Sequence, residues 1–434
     1  MIRGHLSARF EAAWQWCELP AAQACLHAKF APDKGKASRR FARTRAVPAR
    51  EQCPRFKCGR QTATIRPMYV CPLVFEPILR PKVWGGRRLA QIFGKPLPPD
   101  EPIGESWECS DLPSGQSIVA RGPQKGRTLH ELLKLWGSAL TGRARLVDGR
   151  FPLLIKFLDA VENLSIQVHP DRVAMNSLGL SHGLKDEAWH ILDAAPGAVI
   201  FRGLQEGVSS ADFSAALAAS PRESVGLLKR TPVKPGDSFY IPGGTVHALG
   251  AGVVAAEIQT PSDVTFRLYD WDRSRPSGDA GLHVQQGLAC LGRAPDPARF
   301  ERRSHVTSIF TTVTRLVDCR GFRLERVRFL GEIEQPIPYA ELVVWIVLEG
   351  RGEIRYGAGG VETFQRGEVV VLPAALAEPR LRTQSDCVWL EVTIPVESDL
   401  ADYDRPSAAA LQAPEGTAAS PISLRISARP KPEP

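Results

Sequence analysis

The shortness of its apolar runs is what most restricts how this chain can fold. PLVFEPILR, ESWECS, FPLLIKFLDA, LSIQVHP, EAWHILDA, AVIFRGL, DSFYIP, VHALG, VVAAEIQ and VTFRLYDW follow one another through residues 72–271, separated by turn-forming residues. A second series, ELVVWIVLEG, GEIRYG, EVVVLP and CVWLEVTIP, lies within 305–400. Runs of this length bounded by Gly and Pro are strands joined by turns rather than long helices. The 37 Gly and 36 Pro of the 434 residues supply those turns. Strands at such spacing predict a mainly β chain of the β-sandwich or jelly-roll type. Helical spacing is confined to TLHELLKLWGSAL and to residues 209–230, which read as two short helices with Ser-rich starts; 171–185 reads as loop or helix. No apolar run is long enough for a transmembrane helix, so no membrane partner is expected.

The net charge of +8 is concentrated at one end. Residues 1–67 carry 14 Lys/Arg against 4 Asp/Glu, a balance of +10, while the rest carries 41 against 43, a balance of −2. A basic surface spread over the whole protein, as nucleic acid would need, is therefore not expected. Residues 1–67 lack periodicity and read as a basic, disordered extension. An Arg-rich, acid-poor transit peptide is one alternative and a natural start at Met68 another. Residues 291–304 read as a Pro-rich linker, and 401–434, rich in Ala, Pro and Ser, as a disordered tail. That leaves a domain over 68–300, with a helical insertion near 170–230, and a second β domain over 305–400. The nine cysteines include no CxxC pair, which excludes a cysteine zinc site and a disulfide framework and suggests a reducing, cytoplasmic setting.

Three segments carry candidate metal ligands. In SIQVHP, Gln167 and His169 are two apart on a strand, so both point to one face. Alone this is weak, because a strand histidine is more often simply packed. In GDSFYIPGGTVHALG the spacing is Gly236-x5-Pro242-x-Gly244-x2-His247. It allows a tight turn between two strands, with the histidine re-entering on the second. This spacing resembles the second motif of the cupin superfamily, which implies a jelly-roll barrel with a metal inside. In KDEAWHILD, Glu187 opens a strand; His190, three residues on, faces the other way and reads as structural, and His182 in the preceding loop is a weaker alternative. Two imidazoles, a carboxylate and an amide suit Zn²⁺ with open positions, one ion per chain.

The stretches PLVFEPILRPKVWGG, GESWE, FPLLIKFLDAVENLSIQVHPD, KDEAWHIL, KPGDSFYIPGGTVHALG and AEIQTPSDVTFRLYDWDR, spanning about 71–275, together resemble type I phosphomannose isomerase in its shorter bacterial form. The resemblance implies metal ligands at Gln167, His169, Glu187 and His247, a catalytic arginine at Arg267, and a lysine at Lys185 for catalysis or substrate binding. It further implies a pocket serine at Ser165 and pocket carboxylates at Glu257 and Asp263. Some relatives carry a histidine before that lysine; here the position is Leu184. Residues 305–400 resemble the family's C-terminal cupin-like domain in pattern only: Gly367-x5-Pro373 recurs with no histidine after it, so a degenerate, metal-free second barrel is expected.

The implied reaction interconverts mannose 6-phosphate and fructose 6-phosphate by moving a proton between C1 and C2 through a cis-enediol. A Lewis-acidic metal with Arg267 would stabilise the developing negative charge, and Asp263 or Glu257 would carry the proton or orient the group that does. Lys185 and Ser165 would hold the sugar phosphate or tune the base, in a monomer or homodimer. A cupin dioxygenase would need a different ligand set from one containing Gln167. A sugar-phosphate-binding cupin without catalysis is the other competing reading.

Overall fold

The computed structural model describes residues 69–396 except 182, 275–280, 293 and 302. The expectations for 1–67, 401–434 and His182 lie outside the described residues. The described chain is mainly β, as the short runs required. Its strands pair antiparallel throughout, and they form two pairs of sheets and one small hairpin.

The first pair begins with a six-stranded sheet in the order Ser238–Ile241, Glu187–Ala194, Val253–Gln259, Leu154–Ala160, Ile103–Cys109, Ile78–Gly86. Facing it is a five-stranded sheet in the order Leu228–Pro232, Val199–Leu204, His247–Leu249, Ile166–Val168, Phe266–Tyr269. The period of two divides each strand between two environments. On Val253–Gln259, Val253 and Ala255 join the core between the two sheets, with Trp189, Ile191, Ile200 and Leu249. Val254, Ala256 and Ile258 point the other way, into the core shared with the C-terminal half. Both faces of the strand are buried, so its sequence reads as a continuous apolar run. On the outer side of the five-stranded sheet, Ile166, Val168, Phe266 and Leu268 pack with Phe213 and Leu217 of helix Ser210–Ala219. That helix starts on a capping box of Ser209 and Asp212.

Helices appear at TLHELLKLWGSAL, as Leu129–Trp136 and Ser138–Thr141, the first capped by Thr128 with Glu131. In 209–230 the two helices are Ser210–Ala219 and Pro221–Ser224, and the stretch then turns into strand Leu228–Pro232. The last residues of that stretch depart from the helical reading because they pair with Val199–Leu204 at a sheet edge. None of the described helices is long and apolar enough to cross a membrane.

The second pair repeats the first. Its seven-stranded sheet runs Leu73–Val74, Val369–Leu372, Val343–Glu349, Cys387–Thr393, Arg323–Phe329, Thr311–Asp318, Ser304–Thr307. A four-stranded sheet, Glu334–Pro336, Arg380–Thr383, Arg351–Tyr356, Gly360–Gln365, accompanies it. The outermost strand, Leu73–Val74, comes from the start of the described chain and pairs with Val370 and Val371, so the N-terminal residues close the edge of the C-terminal sheet. The repetition extends to register. In the first half Glu257 lies between Lys156 and Trp189 on neighbouring strands. In the second half Glu391 lies between Glu325 and Trp345. By the same register, the position matching Glu187 is Val343.

Glu391 is thus a carboxyl in an aromatic interior, only 5% exposed. Its Oε2 accepts hydrogen bonds from Tyr339 Oη at 2.7 Å, Trp345 Nε1 at 3.1 Å and Trp389 Nε1 at 3.4 Å. Burial, with the charge of Glu325 added, pushes it up to about 7 despite those donors. A carboxyl whose folded value is raised favours the fold while protonated. Its contribution is full below the unfolded value near 4.5 and is lost as pH rises through about 7. Glu391→Gln, neutral throughout, should therefore gain stability relative to wild type between about pH 5 and 8, by on the order of 1–3 kcal/mol in urea melts. A constant difference across that range would contradict this account.

Candidate active site

The inner faces of the first two sheets bring the candidate residues together. His247 and Arg267 are both cross-strand partners of Gln167, so the three side chains form a row on the inner face of the five-stranded sheet. The apolar neighbours Ile166, Val168, Phe266, Leu268 and Ala248 fix this orientation by facing the helices. His169 follows one residue beyond strand Ile166–Val168. From the opposite sheet, Glu187 opens its strand with Trp189 and Ile191 on the same inward face. His190 points outward, with Nδ1 2.8 Å from Ser238 Oγ, as expected for a structural residue.

His169, Glu187 and His247 are buried, and their ligating atoms lie within 4.8 Å of one another. His247 Nε2 is 2.9 Å from Glu187 Oε1, and His169 Nε2 is 3.6 Å from Oε2. Each imidazole directs Nδ1 at a backbone carbonyl, His169 at Val264 O (2.9 Å) and His247 at Thr245 O (2.8 Å). With Nδ1 donating, the Nε2 lone pair faces the interior, the arrangement a metal ligand needs. His169 Nε2 and both Glu187 oxygens are buried without a formed hydrogen bond, close contacts notwithstanding. Orphaned polar atoms converging on one point are what a cation would satisfy. The Gln167 amide lies 3.2 Å from His247 Nε2, and Ser165 Oγ donates to Gln167 Oε1 at 3.4 Å. Because the two ends of an amide have the same shape, a half-turn presents its carbonyl to the same point. This donor set fits a divalent metal.

The electrostatics agree. Burial, and after it the charge of Lys185, push His169 down to about 3, so its imidazole is neutral and its lone pair free. Burial alone would raise Glu187, but Lys185 and the two imidazoles outweigh it and hold the carboxyl well below its ordinary value. Lys185 is buried, not a solvated charge, with Nζ 3.0 Å from Glu187 Oε2.

The remaining predicted residues are placed as follows. Ser165 is buried beside Gln167. Arg267 is half-buried on the inner row, its backbone joined to His283 by a 2.7 Å hydrogen bond from His283 N to Arg267 O. Glu257 is buried, and the cation bound to it is Lys156, with Nζ 2.7 Å from Oε2. Trp189 Nε1 donates to its other oxygen at 3.2 Å. Asp263 is exposed in the loop before Phe266–Tyr269 and accepts from Ser114 Oγ at 2.6 Å, outside the buried group. The sequence reading missed Lys156 and Glu105. Glu105 accepts from Trp107 Nε1 (2.7 Å) and pairs with Lys82 (3.0 Å); burial opposes its charge, but Lys156 and Lys82 bring it down to about 2. The available signal was a charge inside an otherwise apolar strand, Lys156 in LLIKFLDA.

Two antiparallel sheets enclosing a His–Glu–His group that could hold a metal define a cupin-type barrel. Residues 73–188 match the family described as phosphomannose isomerase type I, catalytic domain. Mannose-6-phosphate isomerase ManA of Bacillus subtilis (strain 168) is 34% identical over 321 residues, covering 73% of this chain and 98% of the relative. The mannose-6-phosphate isomerase of Streptococcus mutans is 35% identical over 312 residues, covering 70% and 92%. The solved structure of the mannose 6-phosphate isomerase from Bacillus subtilis matches with a TM-score of 0.67 at 31% identity, covering 75% of this chain and all of that one. The chain belongs to the type I phosphomannose isomerase family.

Stripped of metal and titrated with a Zn²⁺ salt, the protein should bind one equivalent. Saturation near 100-fold above Kd should add about 2.7 kcal/mol of stability, read as a rise in Tm. Glu187→Ala or His247→Ala should abolish that rise.

Proposed function

We propose that this chain is a mannose-6-phosphate isomerase that interconverts mannose 6-phosphate and fructose 6-phosphate at the buried group of His169, Glu187 and His247. The observation that carries the reading is that group's placement, in a chain of this family, beside Gln167 and Arg267 on one strand row. Gln167 joins the two imidazoles and the carboxylate as the fourth ligand. The ligand chemistry favours zinc. Bound there, the metal would act as a Lewis acid toward the negative charge that develops on the sugar oxygens in the cis-enediol.

The protein's own charges point the same way. Lys185 offsets Glu187, so the formal charge of the loaded site stays positive, and Arg267 adds a fixed guanidinium. An excess of positive charge in a buried site stabilises an enediolate more than it does the neutral open-chain sugar, which is the condition for rate acceleration. It also suits a phosphorylated substrate, which Ser165 and Lys185 help to hold. Glu257 and Asp263 are the two candidates for the proton shuttle. Glu257 is the one inside the barrel, with Lys156 holding one oxygen and Trp189 the other. Its orientation is therefore fixed toward the interior. Asp263, exposed and hydrogen-bonded to Ser114, suits orienting a group at the surface. The free, buried cysteines Cys71, Cys109, Cys290, Cys319 and Cys387 accord with a cytoplasmic enzyme.

A coupled isomerisation assay should show turnover of mannose 6-phosphate that chelator abolishes and zinc restores, with glucose 6-phosphate inert. Arg267→Ala should lower kcat by about 10²–10³-fold with zinc content unchanged, since a fixed donor facing developing charge contributes on that order. Near-normal turnover of that variant would remove Arg267 from the mechanism.

A further inference from the structure

One turn, residues 242–245, is tied by its backbone to His169, to His247 and to Asp186, the neighbour of Glu187. Gly244 N donates to His169 O at 2.8 Å. Thr245 O accepts from His247 Nδ1 at 2.8 Å. Gly243 N donates to Asp186 Oδ1 at 3.0 Å, and Asp186 immediately precedes Glu187. The first two contacts come from the ligands themselves. The third comes from a side chain on the outer face of the sheet that is no ligand.

Asp186 is held from both sides. Its N–H donates to Thr260 Oγ1 at 3.1 Å and its carbonyl accepts from Thr260 N at 3.0 Å, fixing its backbone to the end of the central strand. Its carboxylate also interacts with Tyr240, whose hydroxyl lies with Cys319 of the C-terminal half. The turn packs closely against the chain that follows His169. A Cβ on Gly243 would meet Pro170 O at 2.9 Å and Asp171 Cα at 3.1 Å, and Gly244 sits at φ +89°. Two ties thus join the strand of Glu187 to the turn that leads to His247: the pairing of Glu187 with Ile241 at the entry to the turn, and the Asp186 side chain on Gly243 within it.

We propose that Asp186 is a positioning residue that sets the spacing of the metal-binding group by clamping the Gly243 N–H, an inference that rests on the metal reading above. Removing the acceptor leaves the Gly243 N–H unpaired and lets the turn carrying His247 drift from the strand carrying Glu187. Hydrogen bonds that orient metal ligands are worth roughly 10–100-fold in affinity.

The test is a chelator-buffered zinc titration of the stripped full-length protein and its variants, with Tm of the stripped forms measured in parallel. Asp186→Ala should weaken zinc binding about 10–100-fold. Asp186→Leu, which fills the same space without an acceptor, should do the same and serves if the alanine variant does not fold. Asp186→Asn retains an oxygen acceptor for Gly243 and should stay within about threefold of wild type, a rescue that a purely charge-based role would not give, while a merely structural role would lower the Tm of the stripped alanine and leucine variants without weakening zinc binding. Wild-type zinc affinity in Asp186→Ala or Asp186→Leu, or an Asp186→Asn as weak as Asp186→Ala, would overturn the proposal. Wild-type protein that binds no zinc would overturn the metal reading and this inference with it, which separates the two failures.

Discussion

A carboxylate with no exposed surface is the constraint around which this protein is arranged. Removing an ionised carboxylate from water costs several kcal/mol even after relaxation, and only close, well-oriented positive charge offsets it. Glu187 has Lys185 at 3.0 Å and two imidazole nitrogens at 2.9 and 3.6 Å. Of the charges that offset its burial, that of Lys185 is the largest. Lys185 alone leaves both oxygens short of formed hydrogen bonds. A divalent ion would complete the arrangement, so the feature that is awkward for folding is the one that suits the group to holding a metal.

The repeat explains why only one half carries that burden. Glu257 and Glu391 occupy the same register position, each beside a tryptophan on the next strand. Lys156 accompanies the first, while Glu325 takes the matching position beside the second. The first carboxylate is therefore ion-paired. The second is surrounded by neutral donors and holds its proton nearer neutrality. With Val343 where Glu187 would stand, the second half has traded polar groups for packing. Its contribution is the broad apolar core that backs the six-stranded sheet, joining Ala188, Val254 and Ala256 to Val317, Leu324 and Leu390. That backing keeps the catalytic sheet buried on both faces and hence rigid.

What the sequence revealed follows from how far each interaction reaches along the chain. The candidate ligands were legible because strand periodicity and a compact turn are local: Gln167 and His169 two apart, and His247 at a fixed distance past Gly236 and Pro242. The resemblance supplied the rest of the catalytic set. Lys156 and Glu105 were not legible as a pair, because their partners are chosen by strand order, and order is not written in any one segment. For the same reason the pairing of Leu73–Val74 with the C-terminal sheet could not be anticipated from PLVFEPILR, a run that would fit many sheet edges. The end of the 209–230 stretch failed differently: helical spacing gave way to a vacant edge beside Val199–Leu204.

Catalysis of a proton transfer requires that the charged groups be fixed before the substrate arrives, since reorganising them during the reaction would consume the stabilisation they provide. Here each is tied to a backbone group or a buried side chain. His169 is held by the Val264 carbonyl, His247 by the Thr245 carbonyl, Gln167 by Ser165, and Glu257 by Lys156 and Trp189. Those supports lie on several strands of both sheets. Shifting any strand by one residue would turn its inward residues outward, so register alone holds several of the supports together. The second sheet pair, although it lacks the metal-binding carboxylate, bears on the reaction through that register. It covers the outer face of the six-stranded sheet, whose pairing fixes where Glu187 enters the interior to face His247.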